Sequence, residues 1–147
     1  MTNYKLTYHE SFSNQQYYSF VVIAAQFEGM WIWVRKVGAN TWELPTGHVE
    51  KDETPDVAAR RELWEETGAL DFSLVPITDF SIQHQGKTSY NRLFFADILK
   101  MDKLPRFEIE ERIFTNEAPT RLTYGNVQLE LIKKVVGRIN NTETKFG

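Results

Sequence analysis

Residues 47–69 read GHVEKDETPDVAARRELWEETGA, a turn followed by a predicted helix with an unusual concentration of acidic residues. Thr54 can act as the N-cap, and Pro55 suits the first helical position because its missing N–H has no helical partner there. Gly68 tolerates the positive φ with which many helices end. The stretch therefore predicts one helix between Thr54 and Gly68.

Three glutamates of this helix, Glu62, Glu65 and Glu66, are spaced i, i+3 and i+4. That spacing places them on one side of the helix, where their carboxylates can converge on a single point. Glu62 and Glu66 flank a small apolar stripe, so we expect them to lean towards the protein body. A hard divalent cation such as Mg²⁺ would relieve the repulsion between these charges. The alternative is a solvated helix face on which Arg61 and Glu65 form an ordinary ion pair.

The same stretch carries a longer pattern, which resembles the Nudix box G-x5-E-x7-R-E-U-x-E-E-x-G-U, where U is a bulky aliphatic residue. Leu63 occupies the first U position, and the smaller Ala69 occupies the last. With average residue usage, the seven fixed letters match by chance on the order of once in 10⁹ starting positions. All seven are present, as Gly47, Glu53, Arg61, Glu62, Glu65, Glu66 and Gly68.

The resemblance continues on the N-terminal side of the box. Residues 42–50, WELPTGHVE, are similar to the WE-hydrophobic-PGG run of MutT-like members of the family. Thr46 replaces the first glycine of that run, which makes the turn there less permissive. By the order of predicted strands and helices, roughly residues 20–135 follow the Nudix domain pattern.

Composition and length predict one domain that spans residues 1–147. A net charge of −3 argues against a partner such as duplex nucleic acid. The absence of cysteine excludes disulfides, thiolate metal sites and thiol nucleophiles. No apolar run approaches ~18 residues, so we expect a cytoplasmic protein that does not enter a membrane. The sequence does not distinguish a monomer from a homodimer.

Hydrophobic patterning predicts a fold of the α/β class. An amphipathic helix is expected over residues 122–139, in addition to the acidic helix. Strands are predicted at residues 4–9, 17–27, 30–36, 42–44, 70–83, 89–99 and 109–114. Strands interrupted by one helix and followed by another suggest a mixed β-sheet between helices, which agrees with the α/β/α sandwich that the Nudix resemblance implies.

The resemblance also implies roles for the residues of the box. Glu62, Glu65 and Glu66, together with the carbonyl of Gly47, would hold Mg²⁺, with Mn²⁺ as a substitute. The cation would neutralise the phosphate charge of a substrate and activate a water molecule. Glu53 and Arg61 are implied to bond to each other and to hold the loop against the helix, a structural role.

The residue that accepts the proton of the water is less closely defined by the sequence. In different branches of the family it is a glutamate of the box or one from a later loop. Glu108, Glu110 and Glu111 lie just before or within the strand predicted at residues 109–114, and we favour Glu108. The alternative is a solvated acidic edge strand without a catalytic role.

Substrate recognition rests on two positions similar to those of MutT-like enzymes. Arg35 aligns with a residue that holds the nucleotide, and Asn126 with an asparagine that reads a purine edge. At the start of a helix, Asn126 could instead be a cap. The aromatic residues that could stack on a base are Trp31, Trp33, Tyr90 and Tyr124.

These observations predict a Mg²⁺-dependent Nudix pyrophosphohydrolase whose small-molecule substrate is a nucleoside di- or triphosphate. An oxidised purine nucleotide, as in MutT-like enzymes, is the leading version. The same chemistry on a nucleotide sugar, a dinucleoside polyphosphate or the 5′ end of RNA is the first alternative. The second is a Nudix-like module that binds a nucleotide without cleaving it, although such modules commonly lose glutamates of the box that this chain retains.

Overall fold

The structure, a computed structural model, describes residues 3–12 and 17–146, with the backbone alone beyond residue 141. Within these residues it has seven strands and two helices. They are β1 (Lys5–His9), β2 (Phe20–Phe27), β3 (Met30–Lys36), β4 (Thr46–His48), α1 (Pro55–Thr67), β5 (Ala69–His84), β6 (Lys87–Met101), β7 (Ile109–Thr115) and α2 (Val127–Phe146). Neither helix is long and apolar enough to cross a membrane.

The strands form one mixed sheet in the order β1-β5-β6-β2-β3-β7, and β4 pairs with β2. β2 and β6 run parallel, and all the other neighbouring pairs are antiparallel. The strand β3 separates from β2 after two paired positions, and β4 then occupies the place beside the first part of β2. This exchange of neighbours brings the short strand that contains Gly47 into the middle of the sheet.

Two separate cores cover the two faces of the sheet. Successive side chains of a strand point to opposite faces, so neighbouring residues of β2 belong to different cores. Val21 packs in the core that includes Leu63 of α1, whereas Val22 shares the other core with Leu131 of α2. One helix therefore lies on each face, and the predicted α/β/α sandwich with a mixed sheet is confirmed.

Both ends of α1 lie where the sequence places them. The side-chain oxygen of Thr54 accepts a hydrogen bond from the backbone N–H of Val57 at 3.2 Å. Gly68 has a φ of 83° and donates its N–H to the carbonyl of Trp64 at 2.8 Å. A Cβ at Gly68 would approach the carbonyl oxygen of Lys103 to 2.6 Å, so glycine also allows the following loop to pass close to the helix end.

Several predicted elements differ from the observed ones in their bounds, and the two differences that matter for the site are at residues 42–44 and at the start of the second helix. Residues 42–44 form no strand, because Trp42 and Glu43 make only isolated bridges to different partners and Pro45 has no N–H with which to extend a ladder. The second helix begins at Val127, not at Leu122. Leu122 instead bridges to Trp42, and Gly125, with a φ of 59°, turns the chain before the helix starts.

The exposed Gly137, in the interior of α2, offers a test of this assignment. Gly137→Ala is expected to raise the free energy of unfolding by about 0.5–1 kcal/mol, because glycine has the larger conformational entropy to lose in a helix. Its φ is not positive, and a Cβ would meet no atom of the described residues within 4 Å. Urea denaturation measures the change. A loss of stability would contradict a regular helix at this position.

Candidate active site

A pocket of about 520 Å³, which we call the glutamate pocket, lies where α1 faces β4, the end of β3 and the segment before β7. It contains most of the residues that the sequence singles out, including Glu108 from a distant part of the chain. The lining residues are Lys36, Thr46, Gly47, His48, Glu50, Arg61, Glu62, Glu65, Glu66, Phe107, Glu108 and Ile109. Folding thus brings the predicted metal ligands and the favoured general base to one place.

Glu66 is the most deeply buried carboxylate of this pocket, with 3% of its surface exposed. One of its oxygens accepts a hydrogen bond from the backbone N–H of Thr46 at 3.0 Å, which links helix α1 to strand β4. Burial raises the pKa of Glu66 to about 8, and the nearby charges of Glu62 and Glu43 act in the same direction. The carboxylate is thus held in an environment that favours a neutral form unless a cation is close.

Arg61 is surrounded by carboxylates. Its Nε donates to Oε2 of Glu53 at 2.7 Å and its Nη2 donates to Oε1 at 2.9 Å, a bidentate pair. Its Nη1 also donates to Glu62 at 2.7 Å and to Glu65 at 3.3 Å. Hydrogen bonding to Arg61 lowers the pKa of Glu53. The pair joins the loop that contains Glu53 to helix α1, the geometry that the structural role requires.

The three helix carboxylates share the pocket but do not converge on one point. Within the described residues, no three His, Asp or Glu side chains are arranged to hold a metal ion as they stand. The physical reason is that Glu62 and Glu65 turn towards Arg61, while Glu66 turns towards Thr46. The prediction of a single convergence point is corrected in this respect.

The residue types of the pocket nevertheless fit a hard divalent cation. All the acidic lining residues offer carboxylate oxygens, which Mg²⁺ prefers. The geometry around Arg61 supports the same view, because its positive charge already draws two of the three helix carboxylates together. For this fit, Glu62 and Glu65 would rotate away from Arg61, which would keep its bidentate bond to Glu53, and Glu66 would offer the oxygen that does not bond to Thr46.

Gly47 lies in β4 opposite Val21 of β2 and faces the Glu62 side chain. A Cβ at Gly47 would overlap the Cγ and Cδ atoms of Glu62. The absence of a side chain therefore lets the Glu62 carboxylate lie directly against the backbone of β4. This close approach places the Gly47 backbone and the Glu62 carboxylate within one site.

Comparison with known proteins identifies the family. A sequence profile described as the NUDIX domain matches residues 14–125, which is most of the chain. The chain belongs to the Nudix family. A Bacillus subtilis protein provisionally named 8-oxo-dGTP diphosphatase YtkD is 31% identical over 124 residues, which cover 82% of this chain and 78% of that protein.

Two further Nudix relatives differ in how much of the chain they match. The RNA pyrophosphohydrolase of Psychrobacter cryohalolentis is 43% identical over 47 residues, which cover 32% of this chain and 27% of the relative's length. A crystal structure of a variant of the Bacillus subtilis pyrophosphohydrolase BsRppH has a TM-score of 0.75 and 26% identity, with coverage of 92% and 91%. The fold assignment therefore rests on nearly the whole chain.

Arg35 and Lys36 are the last two residues of β3. Lys36, and not the predicted Arg35, lies in the glutamate pocket. Arg35 does not line the pocket; its guanidinium donates to the carbonyl of Ala39 at 3.1 Å and to Glu111 at 3.2 Å. Lys36 lines it instead, with its Nζ 3.6 Å from the buried Glu43 carboxylate. Along β3, Ile32 and Val34 face the core on the α1 side, so alternation places Lys36 on that face and Arg35 on the other.

Other charged groups of the pocket also affect the pKa of Lys36. Burial alone would lower its pKa, but Glu43, Tyr124, Glu66 and Glu108 outweigh that effect and raise it. The ammonium group is therefore positively charged at neutral pH and partly exposed, which makes it available to an anionic ligand. Sequence reasoning missed Lys36, and strand alternation would have placed it opposite to Arg35.

Asn126 lies in a second cavity of about 520 Å³, together with Tyr4 and Tyr124. Asn126 occupies the N-cap position of α2, where its carbonyl accepts a hydrogen bond from the N–H of Glu130 at 3.1 Å, but its exposed side chain makes no hydrogen bond to any of the described residues. A small apolar cavity shares Tyr124 with the Asn126 cavity and Thr46 with the glutamate pocket.

The predicted stacking residues lie in three different surroundings. Trp31 and Trp33 are 8% and 1% exposed and belong to the core on the α2 side. Tyr90 donates its hydroxyl to the buried Asp79 at 3.2 Å, away from both cavities. Of the four candidates, Tyr124 alone lines the cavity that contains Asn126.

Glu66 should also make the stability of the metal-free protein depend on pH. Its pKa is raised from 4.5 to about 8, so the folded state binds the proton more tightly than the unfolded state. This contribution to stability is fully present below pH 4.5 and is lost as the pH rises through 8. We expect the free energy of unfolding to fall over this window, by at most about 1.4 kcal/mol per pH unit from this group.

Urea denaturation from pH 5 to pH 9 in the presence of a chelator measures this effect. Glu66→Gln should flatten the decline, because glutamine is neutral throughout, whereas Glu65→Gln provides the matched change one residue away. An unchanged pH dependence in Glu66→Gln would contradict the raised pKa of Glu66.

Proposed function

We propose that the protein is a Mg²⁺-dependent pyrophosphohydrolase that cleaves a phosphoanhydride bond of a nucleoside di- or triphosphate. The observation that carries this proposal is the pocket in which Glu62, Glu65 and Glu66 of the Nudix box meet Lys36 and Glu108. The names of the relatives support a phosphoanhydride as the bond that is cleaved.

Glu62, Glu65, Glu66 and the carbonyl of Gly47 would hold Mg²⁺, or Mn²⁺ in its place. When bound, the cation would neutralise charge on the phosphates and lower the pKa of a water molecule. Lys36 would bind a phosphate oxygen as a point charge, whereas Arg35 does not line the pocket. Arg61 and Glu53 would keep the loop and α1 in a fixed relation.

Glu108 is proposed as the general base. It is exposed at the edge of the pocket, and no hydrogen bond to the described residues occupies its carboxylate. It would accept the proton of the attacking water, while the new P–O bond forms and the bridging oxygen leaves with the other phosphate. The products would be a nucleoside monophosphate and pyrophosphate or phosphate.

Asn126 and Tyr124 are proposed to receive the base. An amide can donate and accept a hydrogen bond at once, which suits the edge of a purine. Tyr124 offers an aromatic ring in the same cavity. An oxidised purine nucleotide remains the leading substrate, in line with the name of the Bacillus subtilis relative.

A nucleotide panel tests the proposal. Nucleoside triphosphates, including an 8-oxo-purine form, are incubated with Mg²⁺, with Mn²⁺ and with a chelator, and the products are separated by HPLC. We expect monophosphate to appear in the presence of either metal and to be absent with the chelator. A ligand that raises the melting temperature without forming product would favour the binding module instead.

Two variants separate the roles within the site. Glu108→Gln is expected to lower kcat by about 10²–10⁴-fold with little change in KM, which is the range for loss of a general base.

Asn126→Ala should reduce the discrimination between purine and pyrimidine triphosphates. Unchanged discrimination would remove Asn126 from base recognition.

A further inference from the structure

Glu43 is a buried carboxylate that the proposed chemistry leaves without a role. Its side chain is 3% exposed, and its Oε1 atom accepts no hydrogen bond from any of the described residues. Transfer of an ionised carboxylate out of water costs free energy unless the charge is paired and its oxygens are hydrogen-bonded. A buried oxygen without a hydrogen bond therefore has to be explained by the groups around it.

The backbone around Glu43 fixes the direction of this carboxylate. Glu43 exchanges two hydrogen bonds with Val34 of β3, at 2.9 Å from its N–H and at 2.8 Å to its carbonyl. The next residue, Leu44, donates its N–H to the buried side chain of Gln128 at 2.6 Å. Directly opposite residues of an antiparallel bridge point to the same face, and Val34 packs in the core on the α1 side. The Glu43 carboxylate therefore lies on the face of the sheet that carries the glutamate pocket.

Lys36 lies on the same face as Glu43, because it follows Val34 by two positions in β3. Its Nζ is 3.6 Å from Oε1 of Glu43, and no other cation of the described residues is within ion-pair distance of that carboxylate. The side chain of Lys36 is 40% exposed, whereas that of Glu43 is buried. The buried charge is therefore placed to hold an ammonium group that reaches the pocket.

The ammonium group of Lys36 has donors available for a ligand. Its Nζ makes no hydrogen bond to any of the described residues, since its distance from Glu43 exceeds that of such a bond. An ammonium has three N–H donors, so it can bind a phosphate oxygen while the ion pair persists. Without the ion pair, the flexible lysine could turn to the five carboxylates of the pocket. The ion pair thus reduces the conformational freedom that substrate binding would otherwise remove.

The alternative is that Glu43 only stabilises the fold. Buried ion pairs are weak evidence of stability, because desolvation of the charges offsets much of their attraction. Lys36 is partly exposed, so removal of the Glu43 charge would leave no fully buried charge behind. A structural role predicts that the neutral variant Glu43→Gln has a lower free energy of unfolding. An ion pair that orients Lys36 predicts instead that this variant binds phosphates more weakly.

We propose that Glu43 is a positioning residue, which holds the Lys36 ammonium where it binds a phosphate of the substrate. This inference rests on the proposed function, in which Lys36 contacts a phosphate. Three observations support it: the fixed backbone of Glu43, its buried oxygen without a hydrogen bond, and the contact of Lys36 with both that oxygen and the pocket. Glu43 does not line the pocket itself and would act through Lys36.

Binding of a methylene-bridged, non-hydrolysable nucleoside triphosphate in the presence of Mg²⁺ tests the proposal. Calorimetric titration should give a Kd for Glu43→Gln about tenfold above that of the parent, the loss expected when one charge-assisted contact is weakened. With a hydrolysable triphosphate, the variant should raise KM by a similar factor and leave kcat within about threefold. Glu43→Asp keeps the charge on a shorter side chain and should recover part of the loss.

A double-mutant cycle with Lys36 separates positioning from a direct effect of Glu43. Lys36→Ala should raise Kd by about tenfold or more. Glu43→Gln added to it should cause no further loss, because the group that Glu43 holds is then absent. The matched control is Glu111→Gln, which removes the carboxylate that pairs with Arg35 outside the glutamate pocket. The control should leave Kd unchanged.

Urea denaturation of the same variants distinguishes the two roles of Glu43. Glu43→Gln should be no less stable than the parent. A Glu43→Gln variant that does not fold, or that loses stability while its Kd stays parental, would assign Glu43 to the fold and overturn the inference. Equal losses of affinity with and without the Lys36 side chain would also overturn it. Weaker binding by Glu43→Gln, together with a parent protein that binds but cleaves no nucleotide, would overturn the hydrolytic function and support the positioning role.

Discussion

Glu65→Gln and Glu66→Gln, each made singly, are expected to lower kcat for nucleotide hydrolysis by about 100-fold or more. Each change replaces a carboxylate oxygen by an amide nitrogen and removes one negative charge from the proposed metal site. Loss of an outer partner of a metal ligand already lowers affinity or activity by about 10–100-fold, so loss of a ligand should exceed that range. Initial rates at saturating nucleotide and Mg²⁺, measured by HPLC, determine the effect.

A control variant and a melting measurement separate a loss of catalysis from a loss of folded structure. Glu117→Gln, at an exposed position outside the glutamate pocket, makes the same chemical change and should leave kcat within twofold of the parent. Glu66→Gln should also unfold at a higher temperature than the parent at pH 8 without metal, since it removes a buried charge. Turnover that survives both substitutions would show that these glutamates do not hold the metal.

Calorimetric titration with Mg²⁺ or Mn²⁺ adds a measurement that does not depend on turnover. Both variants should bind the cation more weakly than Glu117→Gln does. Metal binding at parental strength together with lost turnover would move Glu65 and Glu66 from metal binding to another part of the chemistry.

The features that the sequence predicts well depend on interactions between residues close in the chain. Helix α1 begins and ends as predicted because Thr54, Pro55 and Gly68 each have a local physical effect on the backbone. The turn between β2 and β3 falls at Glu28 and Gly29 for the same reason, as both have positive φ. The pairing of β2 with β6, in contrast, joins segments about 70 residues apart, and no local pattern specifies it.

The composition of the site shows a similar division. The spacing of the glutamates predicts their common pocket, since a helix fixes their relative positions. Alternation along β3 would have favoured Lys36 over Arg35, because Ile32 and Val34 face the core that includes α1. By contrast, the turning of Glu62 and Glu65 towards Arg61 depends on the competition among several charges, which spacing alone does not resolve.

Thr46 is an instructive departure from the double glycine of MutT-like proteins. Its hydroxyl donates to the carbonyl of Leu44 at 2.8 Å, and its N–H donates to Glu66. The threonine therefore satisfies polar groups of the turn that it was expected to restrict. Gly47, the next residue, retains the steric requirement for glycine.

Gly47→Ala is expected to reduce kcat/KM by about 100-fold or more while the protein remains folded. The φ of Gly47 is not in the positive region, so alanine meets no backbone strain there. Its Cβ would instead overlap the side chain of Glu62, which can turn away because its carboxylate end is flexible. The proposed site would then lose one metal ligand, with an effect at least as large as the loss of an outer partner.

Two measurements are needed to interpret this variant. Urea denaturation should give a free energy of unfolding within about 1 kcal/mol of the parent, since the steric conflict is relieved by the rotation of one pocket-lining side chain. Gly137→Ala adds the same methyl group in α2, at a position that does not line the pocket, and should retain full activity. The Glu62→Ala/Gly47→Ala double variant should be no less active than Glu62→Ala, because the methyl group then has no side chain to displace. Additive losses in the double variant would mean that Gly47 acts by a route that does not involve Glu62.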